Sequence, residues 1–166
     1  MKKTPLFILL FLMTVTFGTV CTNNDAQNQF EAEAYTLPEG YTETDSQRNI
    51  INEDADDWRI SPIYVGLIEV IDPVFPNPVN YGTQFDMYIR VDAAPAGSTI
   101  QLYYFNEVYT RPIIIDSRPV TDDFTDVVFQ INTNEFGNAS EARGLHRLLI
   151  FDGNQRIITF GDLLIQ

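Results

Sequence analysis

Lysine is nearly absent from this chain. Its only two, Lys2 and Lys3, sit at the N-terminus, and the other basic residues are eight arginines facing 23 acids. Without residues 1–20 the balance is 8 − 23 = −15. Nucleic acids and anionic lipid surfaces call for a cationic face, so neither is expected as a partner. Cysteine occurs once, at position 21, so no disulfide can form within the chain and stability has to come from a core. Histidine also occurs once, as His146. One histidine and one cysteine cannot build the clusters that hold zinc or iron. Nucleophilic catalysis has a single candidate base, with no Gly-x-Ser-x-Gly elbow and no glycine-rich phosphate loop. Long apolar runs are missing too: Leu6 to Phe17 is an uncharged stretch of 12 residues, too short to span a bilayer and suited to the core of a signal peptide.

The residues behind that stretch, Phe17-Gly18-Thr19-Val20-Cys21, resemble the lipobox of bacterial lipoproteins. Gly18 and Val20 stand where the family pattern has Leu and Gly or Ala. The resemblance implies that the mature chain starts at an acylated Cys21, lipid-anchored to the cell envelope, with the outer membrane the expected site. Several acyl chains make such anchoring stable. The other reading of the same residues is an ordinary secretory signal.

Three segments follow: a signal peptide at 1–20, lipidated Cys21 with an acidic tether over 21–57, and a β-domain at 58–166. Ten of the 23 acids lie in 22–57, against the single base Arg48. A segment so charged and so poor in apolar residues is expected to stay flexible, with a reach of roughly 35 Å. One short helix is expected over 46–58, capped by Asp45 or Ser46. From Arg59 onward the apolar period is two. Strands are expected over 63–70, 85–91, 100–104, 112–116, 127–132, 145–151 and 156–165. The Pro73, Pro76 and Pro78 cluster belongs at a sheet edge or bend, because proline cannot donate to a ladder. Seven short strands between turn signals predict an all-β, immunoglobulin-like or fibronectin-like sandwich. Its expected core is Phe85, Met87, Ile89, Val91, Leu102, Val127, Phe129, Ile131, Leu148 and Ile150. His146 is expected inward with Leu148 and Ile150, because the other register would bury Arg147. Trp58 is expected to plug the open end of the sandwich.

Phe75-Pro76-Asn77-Pro78-Val79, with the later run from Gly144 to Asn154, resembles the C-terminal sorting domain of the type IX secretion system. The resemblance implies a seven-stranded sandwich opening on a Pro-Asn-Pro motif, and a role in export. The chain ends Leu163-Leu164-Ile165-Gln166, where the family usually has a basic residue.

Candidate sites are few. No catalytic residue is assigned, and the chain is read as a non-enzyme. Asp122, Asp123 and Asp126 share one loop of the kind that holds calcium on some sandwiches, but without EF-hand spacing. A solvated acidic turn is the favoured reading, and no cofactor is required. Tyr88 and Tyr103 fall on outward registers, and Tyr109 joins them as a candidate contact. These features predict a non-catalytic binding or scaffold module, a subunit or accessory of an envelope protein complex. The partner would be an envelope protein or, second, a polysaccharide, and the lipid would be the only contact with the membrane. The alternatives are a type IX sorting module and a carbohydrate-binding surface protein.

Overall fold

The structure, a computed structural model, describes residues 22–93, 98–105, 111–121 and 124–166. The signal segment, Cys21, Tyr109, Asp122 and Asp123 lie outside the described residues. In chain order the elements are α1 (Thr22–Ala34), β1 (Glu43–Thr44), β2 (Ile50–Asn52), β3 (Ile68–Phe75), β4 (Gln84–Val91), β5 (Thr99–Phe105), β6 (Ile113–Pro119), β7 (Thr125–Asn132), a 3₁₀ turn (Thr133–Phe136), α2 (Ala139–Ala142), β8 (Gly144–Asp152) and β9 (Ile157–Ile165).

Seven of the strands form an all-β sandwich. One sheet has the order β3-β4-β7, the other β6-β5-β8-β9, and every pairing is antiparallel. Alternation dictates the interior. Phe85, Met87, Ile89 and Val91 of β4 face Val127, Phe129 and Ile131 of β7, and Leu102, Leu148 and Ile150 close the core from the other sheet; all ten are buried. β3 carries Pro73 and stands at a sheet edge, where the missing N–H leaves no ladder bond unmade.

The first sandwich strand begins at Ile68, not at residue 63. Residues 62–67 form turns, with Gly66 at φ +77°, and Ile63, Val65 and Leu67 point outward. The expected helix over 46–58 is absent: Asp45 instead caps a tight turn, accepting from the backbone N–H groups of Gln47 and Asn49, and the chain returns as β2. The helix lies earlier, in α1.

Residues 22–57 do not form the expected flexible tether. α1 lies on the outer face of β8 and β9. There Phe30 and Ala34 pack with Leu149, Phe151, Ile157 and Phe160 in a second apolar cluster, with the Phe30 and Phe160 rings 5.0 Å apart. Few apolar residues suffice because the face they cover is itself apolar. The cover buries β8 on both sides, so His146 and Arg147 are both inside, on opposite faces of the sheet. His146 Nε2 lies 2.6 Å from the Ala142 carbonyl, so this nitrogen carries the donated proton. Burial pushes the His146 imidazole below its usual range and keeps it neutral.

β9 ends its sheet, yet its outer edge is paired. Trp58 N–H donates to Phe160 O (2.7 Å), Ser61 N–H to Ile158 O (2.8 Å) and Val79 N–H to Leu164 O (2.9 Å). Trp58 joins the main core beside this edge, its indole filling the space above Gly161, where any Cβ would collide with it. It therefore seals the side of the sandwich, not the end. Asn77 is fully buried and knits three segments: its Nδ2 donates to Thr42 O and Asp162 O, both at 2.9 Å, and its Oδ1 accepts from Leu164 N–H at 3.0 Å. Its backbone also exchanges hydrogen bonds with Thr44. Here the Pro76-Asn77-Pro78 motif fastens the chain's first third to its last strand.

Candidate functional site

Where α1 ends over β9, two arginines and a group of carboxylates meet. Arg147 points out of the sandwich core into the layer beneath α1 and forks onto Asp162, with Nε to Oδ1 at 2.7 Å and Nη2 to Oδ2 at 2.8 Å. Its Nη1 donates to Glu33 O at 2.9 Å and to Thr36 Oγ1 at 3.2 Å. The guanidinium thus satisfies a terminal carbonyl of α1 and places positive charge at the negative end of the helix dipole. Arg59 donates to Glu33 Oε2 at 2.6 Å, and this bond holds the Glu33 carboxyl below its ordinary range. Both guanidinium carbons lie over the Phe160 ring, Arg147 at 5.0 Å and Arg59 at 5.7 Å from its centroid.

Beside these groups opens a cleft of about 280 Å³, lined by the apolar Leu37 and Phe160, by Arg147, and by the carboxylates of Glu33, Glu39, Asp54 and Asp56. Across Gly40 and Asp54 it continues into a shallower depression bordered by Glu43 and Glu53. The Asp54 carboxylate reaches over Gly40 into the space a Cβ would take. The resulting trough is anionic: Arg59 and Arg147 line it too, but Glu33 and Asp162 already pair with them.

Asp57 stands behind the trough. Burial, together with the nearby Asp162 carboxylate, pushes its carboxyl up to about 7, although Thr42 N–H donates to its Oδ2 at 2.6 Å. Burial also pushes Asp162 upward, while Arg147 draws it back. A raised folded-state pKa means that the folded chain holds a proton which the unfolded chain has already lost. The stabilisation from Asp57 is full below the unfolded value near 3.8 and disappears as pH rises through about 7. One such proton changes stability by at most about 1.4 kcal/mol per pH unit. His146 has the opposite sign, since its depressed pKa removes stability as pH falls below 6.5. Between pH 6.5 and about 8.5, therefore, the wild type should lose stability with rising pH, and Asp57→Asn should flatten the slope and be the more stable of the two at the upper end. Urea midpoints across that window measure this; parallel slopes would mean that Asp57 is already ionised at the lower end.

Tyr88 and Tyr103, both candidate contact residues, do not share a patch. Tyr88 is on β4 and Tyr103 on β5, in different sheets. Tyr88 is covered by Arg48, whose guanidinium carbon lies 4.4 Å from its ring centroid and whose Nη2 donates to its hydroxyl. Tyr103 packs edge-on against Phe151 at 4.9 Å and belongs to the layer beneath α1. Asp126 pairs with Arg90 at 3.0 Å. Among the described residues no group of three His, Cys, Asp or Glu side chains is placed to hold a metal ion.

Glu33, Asp54, Asp57, Arg59 and Arg147 were not singled out from the sequence. A signal was present: Leu148 to Phe151 and Ile157 to Phe160 are nearly continuous apolar runs, the mark of strands buried on both faces. Such runs require a cover, and residues 22–57 are the chain left to provide it.

No protein-family model matches this chain, and no curated protein matches it. Weak structural likenesses exist. A β-glucosidase mutant from Listeria innocua, solved with laminaribiose, superposes with a TM-score of 0.44 at 17% identity over 60% of this chain and 16% of its own. The sensor domain of an anti-sigma factor from Pseudobacteroides cellulosolvens gives 0.41 at 12% identity, over 59% and 91%. This chain spans about a sixth of the length of the Listeria enzyme.

Proposed function

We propose that this protein is an exported lipoprotein, anchored through Cys21, that serves an envelope protein complex as a non-catalytic binding module. Its contact surface is the anionic trough, and its partner presents lysine or arginine side chains. The observation that carries this reading is the trough itself: solvent-facing carboxylates beside the apolar Leu37 and Phe160, with the one histidine on the opposite face of the sheet. Charge of one sign steers an oppositely charged partner, and the apolar side chains accept the methylene stems of its lysines and arginines.

The test is capture of a partner from detergent-solubilised envelope by the wild type and by a Glu39→Gln, Asp54→Asn, Asp56→Asn triple variant. These surface changes should leave the unfolding midpoint nearly unaltered. Capture should fall roughly tenfold in the variant, and wild-type capture should weaken from low to physiological salt. Equal, salt-independent capture by both proteins would place the contact elsewhere. Turnover of a sugar or ester by the purified protein would return it to the enzymes.

A sorting role of the type IX kind is the second reading. It is favoured by the bonds of Asn77 to Asp162 O and Leu164 N–H, which make the Pro-Asn-Pro motif and the last strand one unit.

A further inference from the structure

At one end of the sandwich β4, β6 and β8 finish and β5, β7 and β9 begin. The turns over 62–67 cross this end. Tyr64 is pinned beneath them, its hydroxyl donating to Asp152 Oδ2 at 2.6 Å. Its neighbours are bare: Ile63, Val65 and Leu67 are 43%, 70% and 42% exposed. Phe124 precedes β7 at the same end, held at φ +58° and 78% exposed. Beneath this end the core is filled by Val91, Ile100 and Val120. Apolar side chains exposed on separate loops at one end of a sandwich mark an interaction surface.

The start of the described chain points to the same end. Along α1, Gln27 Oε1 accepts from Ser61 Oγ, beside Ile158; Phe30 sits on Phe160; and Glu33 O meets Arg147, the strand partner of Asp162. α1 therefore runs from the beginning of β9 toward its end. From Gln27 back to Thr22 the helix rises about 7.5 Å past Ser61, toward the loops that carry Ile63 and Val65. The trough lies at the other end of α1.

We propose that this apolar tip rests in the headgroup layer of a lipid bilayer, with Ile63, Val65, Leu67 and Phe124 dipping into it while the lipid on Cys21 holds the same end down. The proposal rests on the anchoring reading above. Four side chains would bind a bilayer weakly by themselves, but a tether makes their contact intramolecular and raises their effective concentration. The surplus of acid selects a neutral surface over an anionic one. In this pose the acidic trough is turned away from the bilayer surface, where a partner protein can reach it.

The test uses the chain from Cys21 onward, coupled through its only thiol to a maleimide lipid in phosphatidylcholine vesicles, with amide hydrogen exchange read on and off the vesicle. Exchange over residues 62–67 and 124–126 should slow about tenfold on the vesicle, while residues 133–143, at the opposite end, should not change. A Val65→Asp, Phe124→Asp variant should lose the protection and keep its unfolding midpoint. Protection that is absent, or spread evenly over the molecule, would overturn the proposal. So would tip protection that appears without vesicles and grows with protein concentration, because the tip would then be a contact between copies. Because the coupling supplies the anchor, this outcome does not depend on natural acylation. The intact mass of membrane-extracted protein tests acylation separately.

Discussion

Replacing Arg147 with alanine is expected to cost about 3–5 kcal/mol of unfolding free energy, the loss seen when one member of a buried ion pair is removed. Asp162 would remain beneath α1 without its two charge-assisted hydrogen bonds, beside the carboxylate of Asp57. Two further contacts vanish with the guanidinium, the bond to Glu33 O at the end of α1 and the bond to Thr36 Oγ1. The pair as a whole is a different matter. Arg147→Met combined with Asp162→Leu should recover much of the loss, since an apolar pair of similar volume carries no desolvation penalty. Denaturant unfolding of the three proteins measures both numbers. A single variant within about 1 kcal/mol of wild type would mean that water reaches Asp162 and that the layer beneath α1 is open.

Removing residues 22–57 should do more damage. A chain beginning at Trp58 loses Phe30 from the second apolar cluster and leaves Leu149, Phe151 and Phe160 facing solvent. It also deprives Asn77 of Thr42 O and of both backbone bonds to Thr44. Burying one large apolar side chain contributes about 1.5–3 kcal/mol, and each stranded polar group adds about 1–3 kcal/mol of cost. The thermal midpoint should therefore fall by roughly 10 °C or more, and the shortened protein should associate through its uncovered face. An unchanged midpoint would show that the segment only rests on the sandwich.

These two expectations lie where sequence and structure part company. The strands with one wet face were legible: β4, β5 and β7 alternate, and their inward residues are the core. β8 and β9 do not alternate, because α1 makes an interior of their second face. The covering helix was not legible because acids and amides dominate it, and among its described side chains Phe30 and Ala34 alone are buried. An acid-rich segment resembles a tether when it is judged by its own apolar content. What holds it here is the apolar content of the surface it meets. The start of β3 slipped because Ile63, Val65 and Leu67 imitate a buried face while pointing outward from turns. The trough could not be read at all. It joins Glu33 and Asp54 to Arg147, residues more than ninety positions apart whose nearness depends on the docking of α1.

Asn77 has a consequence for the order in which the molecule comes into being. Its side chain bonds to residues 85 and 87 positions downstream, and Arg147 reaches back 111 and 114 positions to Thr36 and Glu33. During synthesis the apolar face of α1 therefore has no surface to pack on until β8 and β9 have been made. Closing loops of this length early is entropically unfavourable, which makes folding slow and late. The two layers on either face of β9, the sandwich core and the cover of α1, can therefore close only once that strand exists.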